Sequence, residues 1–193
     1  MMHMQVRRIT ENWSPALAKV MEMDTLTSDY RIKQYAHLVA TTEGEMAGFE
    51  KELSEIEANI ETVRTDFEAL LSKTEEKEIY SVISSKWDQY KSESQQVIEL
   101  SRQNKLEEGN ELMLGEMLDA YNDFQSSFAE LKAYEEHQLA LAKRDVSIMF
   151  YSMMVAMVLI VVGALILVER LGKLLIGMIT VPVEQITEAA KRM

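Results

Sequence analysis

The sequence predicts an all-α protein, in which an antiparallel up-down four-helix bundle continues into a transmembrane helix and a short cytoplasmic helix. Three observations predict this fold. The 193-residue chain contains only seven glycines and two prolines, so few points interrupt a helix. Apolar residues recur at heptad spacing through most of residues 1–145. One later run of 23 residues carries no charge.

The heptad spacing defines the bundle helices. We call each stripe of residues at this spacing on one helix face a seam. The first seam is irregular, the second has strictly alternating steps of four and three residues, and two more seams follow. In order, the seams are Leu17, Val20, Thr27, Gln34, Leu38; Phe49, Leu53, Ile56, Ile60, Val63, Phe67, Leu70; Ile79, Ile83, Trp87, Tyr90, Val97, Ser101; and Met117, Tyr121, Phe124, Phe128, Leu131. We predict helices at 1–41, 44–71, 75–103 and 106–145, joined by the short loops of antiparallel neighbours.

Capping-box patterns mark the helix starts between these seams. In such a pattern an N-cap side chain and a Glu three residues later each bond to the other's backbone N–H. The pairs are Thr42 with Glu45, Ser72 with Glu75, and the weaker Asn104 with Glu107. Their positions agree with the helix boundaries that the seams predict.

The uncharged run at 146–168 predicts a transmembrane helix. It reads VSIMFYSMMVAMVLIVVGALILV, and at about 1.5 Å per residue it spans about 34 Å, more than a hydrocarbon core of about 30 Å. Lys143 and Arg144 before it nearly balance Arg170 and Lys173 after it, so the large acidic region decides the orientation. We expect residues 1–145 on the periplasmic or extracellular side of the cell's inner (plasma) membrane, and the tail in the cytoplasm.

The predicted helix lengths bring the start of the chain to the same membrane. The first and fourth helices exceed the middle two by about ten residues, or about 15 Å. Because the fourth helix enters the membrane at its longer end, the first should begin at that surface, where a preceding transmembrane helix would attach. The sequence contains none, so we expect that the chain begins late in its gene or that the protein uses a single span.

Several stretches resemble the four-helix-bundle sensor domain of methyl-accepting chemotaxis proteins. They are ENWSPALAKV, TSDYRIKQYAHLV and SSKWDQYKSESQQVIELSRQNKLEEGNELMLGEM. The tail ITVPVEQITEAAKRM is similar to the first helix of a HAMP domain, the relay that follows the second span in that family. The resemblance implies a sensor domain at 1–145, a transmembrane helix at 146–168 and the start of a HAMP domain at 169–193.

Pro182 and Ile186 are the predicted signal-relay residues of this tail. Proline lacks a backbone N–H and suits the first turn of a helix. We therefore expect Pro182 to interrupt the helix that leaves the membrane, and a new apolar seam through Ile186 to begin after it. The alternative is a simple amphipathic helix beside the membrane.

The sequence predicts no enzyme, no cofactor and no metal site. The three histidines, His3, His37 and His137, lie far apart and have no cysteine or paired-histidine companion. The net charge of -12 also argues against nucleic-acid binding, because the phosphate backbone attracts the opposite sign.

The candidate ligand site lies in the distal half of the bundle. The distal tip of the bundle is the end near Thr42 and Asn104. Measured along the helices, similar distances separate this tip from Arg31, Tyr90 and Tyr121. An arginine among aromatic side chains can bind a carboxylate with two parallel hydrogen bonds. Arg64, lower in the bundle, is a second candidate. The alternative for Arg31 is an ion pair with a neighbouring acidic side chain.

These features together predict the sensory module of a transmembrane chemoreceptor. We expect it to bind a small molecule, directly or through a periplasmic binding protein, to form a homodimer and larger receptor clusters, and to signal through the membrane to a HAMP relay that controls chemotaxis. One alternative is the input module of a sensor histidine kinase or cyclase. Another is a membrane-anchored helical scaffold without a ligand. The coding sequence after Met193 would separate these possibilities.

Overall fold

The computed structural model describes the backbone of residues 6–191 and the side chains of residues 6–176 and Met178. A π-helical turn, Ile9–Trp13, leads into α1 (Ser14–Val39). The helices α2 (Glu43–Glu68), α3 (Thr74–Arg102), α4 (Leu106–Leu114) and α5 (Glu116–Lys191) follow. The described residues contain no strand and divide into two compact units, one up to Lys143 and one from Arg144. The predicted all-α four-helix bundle is confirmed.

The core of the first unit is built from the predicted seams. Most seam residues are buried, and the largest of them form an aromatic cluster at mid-height. The Trp87 ring lies 5.2 Å from that of Tyr30, 5.9 Å from Tyr90 and 5.8 Å from Phe124, measured between centroids. Each such pair adds about 0.5–1.5 kcal/mol to the stabilisation from burial alone.

Buried polar side chains between α1 and α3 form hydrogen bonds. The Tyr30 hydroxyl bonds to Ser94 Oγ at 3.0 Å and donates to Glu57 Oε1 at 2.9 Å. Nearer the tip, Ser101 Oγ donates to the His37 carbonyl at 2.8 Å. These bonds join α1 to α3 at two levels, and they satisfy groups that would otherwise be costly to bury.

The helix starts follow the predicted caps in one case and shift in two. Thr42 and Glu45 form the expected capping box at the start of α2. At α3 the carboxylate belongs to Glu76, whose Oε2 accepts from the N–H groups of Ser72 and Lys73. Asn104 does not cap α4; it has a φ of 56° and follows the C-terminal end of α3, a position that asparagine tolerates.

The predicted fourth helix at 106–145 is interrupted, so that part of the prediction is wrong. The break lies at Gly115, between α4 and α5, where a Cβ atom would approach the Glu111 carbonyl oxygen to 2.8 Å. Only glycine leaves room for this close approach. Because α4 ends at Leu114, no later amide of that helix can bond to the carbonyl of Met113.

The second unit carries the apolar run. Its residues from Phe150 to Val168 are exposed, and an 18-residue window has a mean hydropathy of 2.7. Among the described residues one helix is long and apolar enough to cross a membrane.

The expected interruption at Pro182 is not seen, since α5 is helical through to Lys191. A proline inside a helix removes one N–H donor, but the turns on either side can retain the helical path. The side chains of Pro182 and Ile186 lie outside those that the structure describes.

Candidate functional site

Arg31 joins the first helix to both sides of the break at Gly115. Its Nη2 donates to the Met113 carbonyl at 2.8 Å, and its Nη1 lies 3.3 Å from the Met117 carbonyl. The first of these carbonyls stands in the last turn of α4, where a cation also interacts favourably with the helix dipole. Arg31 therefore supplies the hydrogen bond that the interrupted helix cannot supply itself.

Two tyrosines complete the surroundings of this guanidinium. Its Nη1 lies 3.3 Å from the Tyr90 hydroxyl, which in turn donates to Gln34 Oε1 at 2.8 Å. The Arg31 Cζ atom stands 5.0 Å from the centre of the Tyr121 ring, a cation–π contact. Burial raises the pKa of Tyr90, and the hydrogen bond from Arg31 opposes part of that change.

The structure thus brings together three of the four predicted ligand-binding residues: Arg31, Tyr90 and Tyr121. The alternative ion pair is not found, because among the described side chains no carboxylate pairs with Arg31. Its partners are main-chain carbonyls instead. Arg31 is partly exposed, and its partners in this site are neutral.

The fourth predicted residue, Arg64, lies at a separate position between α2 and α3. Its Nη1 forms ion pairs with Glu61 at 2.8 Å and Asp88 at 3.0 Å, and its Nη2 bonds to Ser84. Burial lowers the pKa of Arg64, but its hydrogen bonds with Tyr80 and Asp88 raise the pKa by more. Two carboxylates already neutralise this cation.

An open groove of about 620 Å³ runs beside Arg64. It is lined by hydroxyls and carboxylates, with Glu68 accepting from the Tyr80 hydroxyl at 3.1 Å. Burial raises the pKa of Tyr80 to about 12. With two acids along it, this groove does not suit an acidic ligand.

Comparison with known proteins agrees with this architecture. A family model described as a four-helix-bundle sensory module for signal transduction matches residues 1–145, which is 145 of the 193 residues. The chain belongs to this family. The match confirms the resemblance drawn from the sequence for the bundle. A comparison with curated proteins gives no match.

Two polar clusters of this sensory module were missed from the sequence. Near the tip, His37 is fully buried, with its Nε2 3.2 Å from Glu50 Oε1, and Arg102 Nε donates to the same oxygen at 2.8 Å. The hydrogen bond from Arg102 lowers the pKa of Glu50. At the other end of the bundle, Glu76 and Glu135 are both fully buried.

A signal for the second of these clusters, Glu76 and Glu135, is present in the heptad pattern. Glu76 lies four residues before the buried Tyr80, on the same helix face as Tyr80 and Ile83. Glu135 lies four residues after the buried Leu131 and continues its seam. The break at Gly115 also has a signal, a glycine inside an otherwise regular helical pattern. Within the described residues, no group of three or more His, Cys, Asp or Glu side chains could hold a metal ion.

Proposed function

We propose that this sensory module is the input part of a chemotaxis receptor, which senses a small molecule outside the cytoplasm, directly or through a binding protein, and signals through the inner membrane to a HAMP relay. The supporting observation is that α5 contains both the Met117 carbonyl beside Arg31 and the apolar window suited to a bilayer. One element therefore joins the candidate ligand site to the candidate span.

The ligand chemistry proposed for Arg31 is a small carboxylic acid. A carboxylate accepts two parallel hydrogen bonds from a guanidinium, and these bonds are stronger than those to neutral carbonyls. A bound acid would therefore compete with the carbonyls of Met113 and Met117 for Arg31. The Met113 carbonyl would lose its donor, and the packing of α5 at the break would change.

A small shift of α5 would be enough to carry such a signal. Helix shifts of about 1–2 Å at packed interfaces switch between discrete arrangements, because close packing does not deform continuously. In this proposal the acid does not need to move the whole bundle. It needs to favour one of two arrangements of α5 near Gly115.

The exposed face of α1 supports a homodimer. Apolar or small residues repeat along it at the spacing of a heptad, and the exposed ones are Met21, Thr25, Ile32, Tyr35 and Val39. The Ile32 side chain is 62% exposed, high for a large aliphatic residue in a helix. A second copy in parallel orientation presents the same repeat, so this face can pair with itself as coiled-coil seams do.

Ligand binding is tested by thermal unfolding of the full chain in detergent, followed by tryptophan fluorescence. The panel is small mono- and dicarboxylic acids, amino acids and aromatic acids. We expect at least one acid to raise the melting temperature, Arg31→Ala to abolish that rise, and Arg64→Ala to retain it. Loss of the rise in Arg64→Ala, but not in Arg31→Ala, would move the site to the groove between α2 and α3.

Signalling is tested separately with a hybrid receptor that joins the cytoplasmic half of a chemoreceptor after Met193. The acid that stabilises the bundle should change kinase output in cells, and Arg31→Ala should prevent the change. A bound acid without any change in output would contradict the receptor proposal but not the binding site.

The dimer is tested by oxidative cross-linking. Because the natural chain has no cysteine, Ile32→Cys introduces a single thiol at the proposed interface. We expect efficient disulfide-linked dimers for this variant and none for Lys51→Cys, whose side chain is 80% exposed on α2. Equal cross-linking at both positions would contradict the α1 interface.

A further inference from the structure

Two glutamates from different helices bury their carboxyl groups together at the end of the bundle opposite the α1–α2 turn. Glu76 lies in the first turn of α3, Glu135 lies in α5, and both are fully buried. Glu76 Oε2 accepts hydrogen bonds from the backbone of Ser72 and Lys73, at 2.9 and 3.2 Å. Glu76 Oε1 and both oxygens of Glu135 have no donor partner.

An arrangement of two ionised carboxylates would be very unfavourable here. A buried carboxylate needs donors or a cation, and three of these four oxygens have neither. The charge of Lys73 acts on the pair, but its Nζ donates to Gln138 Oε1 at 2.5 Å and stands 5.0 Å from the centre of the Trp13 ring. Lys73 thus attracts the pair without forming an ion pair with it.

Among the described residues, the other titratable groups with an interaction in this cluster carry no positive charge. Glu75 and the phenol of Tyr134 interact electrostatically with this cluster, and the Tyr134 hydroxyl is itself buried without a partner. Trp13 from the π-helical turn and Phe67 from α2 reach this end of the bundle, and neither side chain titrates. Among the described residues, no donor forms a hydrogen bond with either oxygen of Glu135.

We propose that Glu76 and Glu135 share one proton at neutral pH and form a proton-binding site in the bundle. The protonated carboxyl donates to the ionised one, so a single proton satisfies an oxygen on each side. Consistent with this arrangement, burial first and then the hydrogen bond with Glu76 raise the pKa of Glu135 to about 9. A metal ion is the weaker occupant, because no third ligating side chain joins the two among the described residues.

The proton makes the stability of the bundle depend on pH with a definite sign. Above a pH of about 4.5 the unfolded chain has lost this proton, whereas the folded chain holds it to about pH 9. Folding therefore takes up a proton across this range, and the unfolding free energy falls as the pH rises through it. If the chain is the proposed receptor, this site offers a second input, because Glu135 lies two helical turns before Lys143 at the end of the first unit.

The shared proton is tested directly by infrared spectroscopy of the full chain in detergent. At pH 7 the exposed acids are ionised, so we expect one protonated carboxyl band, identified by its shift in D2O. The band should disappear in Glu135→Gln and above about pH 9, and it should persist in Glu136→Gln, whose side chain is exposed. A spectrum without this band at pH 7 would overturn the proposal.

The energetic consequence is tested by the melting temperatures of the same three proteins between pH 5 and pH 8. Glutamine keeps the shape of the side chain but does not titrate. The melting temperature of Glu135→Gln should therefore rise relative to that of the natural chain between pH 5 and pH 8, by more than about 4 °C. Glu136→Gln should follow the natural chain at every pH. Parallel curves for Glu135→Gln and the natural chain, or stabilisation by Mg²⁺ in place of acid, would overturn the shared proton. Both measurements concern the bundle alone, so their failure is distinct from a failure of the receptor proposal.

Discussion

Replacing Arg31 by methionine removes the hydrogen bonds across the Gly115 break while keeping an apolar stem of similar length. The bond to Met113 has the largest effect. That carbonyl receives no hydrogen bond from a backbone N–H of its own helix, and the charged Arg31 side chain donates to it at 2.8 Å. Hydrogen bonds to charged groups contribute about 1.5–3 kcal/mol, and the two contacts at 3.3 Å join groups that have other partners. We expect the free energy of unfolding to fall by about 2 kcal/mol.

Urea unfolding of the full chain in detergent measures this loss. Both tryptophans, Trp13 and Trp87, lie in the bundle core, so their fluorescence reports on the bundle and not on the apolar run. With a slope of about 2 kcal/mol per molar urea, the midpoint should fall by about 1 M. The control is Arg7→Met, which removes an exposed ion pair with Glu11 and should change stability by less than about 0.5 kcal/mol.

The result that would refute this interpretation is an unchanged midpoint for Arg31→Met. The Met113 carbonyl would then have found water or another donor, and Arg31 would not support the break. A loss well above about 5 kcal/mol would also contradict it, since three hydrogen bonds with partly satisfied partners do not account for so much.

Two further predictions concern the helix ends. Gly115→Ala should lower the free energy of unfolding by about 1–3 kcal/mol, because the new methyl group meets the Glu111 carbonyl oxygen at 2.8 Å; an unchanged urea midpoint would show that the break tolerates a Cβ atom. Thr42→Ala should cost about 1 kcal/mol by removing the side chain that accepts from the Glu45 N–H. Thr62→Ala, which loses only a bond to its own helix, should leave the same midpoint almost unaltered and is the matched control.

The heptad pattern was sufficient to predict the bundle, because burial of a continuous apolar stripe decides both the helices and their facing sides. Phe67, Trp87 and Phe124 are buried as their seams predict. The pattern could not predict the break at 115, since one glycine weakens a helix without deciding whether it stops. That decision depends on Arg31, 84 positions earlier in the chain, which stabilises the freed carbonyl.

The candidate site was predicted in its members but not in its partners. Counting residues from the tip placed Arg31, Tyr90 and Tyr121 at one height, and the structure brings them into contact. Comparing heights along the helices considers only contacts between side chains. Main-chain carbonyls remained unconsidered because a regular helix keeps them occupied, and the hydrogen bonds to Met113 and Met117 were therefore missed.

The buried hydroxyls between α1 and α3 limit how these two helices can slide along each other. The Tyr30–Ser94 bond and the Ser101–His37 bond form in a single axial register. A shift by one heptad, about 10 Å, would restore the match of apolar residues. It would also break both hydrogen bonds and leave their polar groups buried without partners. Axial sliding of α1 against α3 must therefore stay within a fraction of a helical turn. Larger displacements would have to move both helices together.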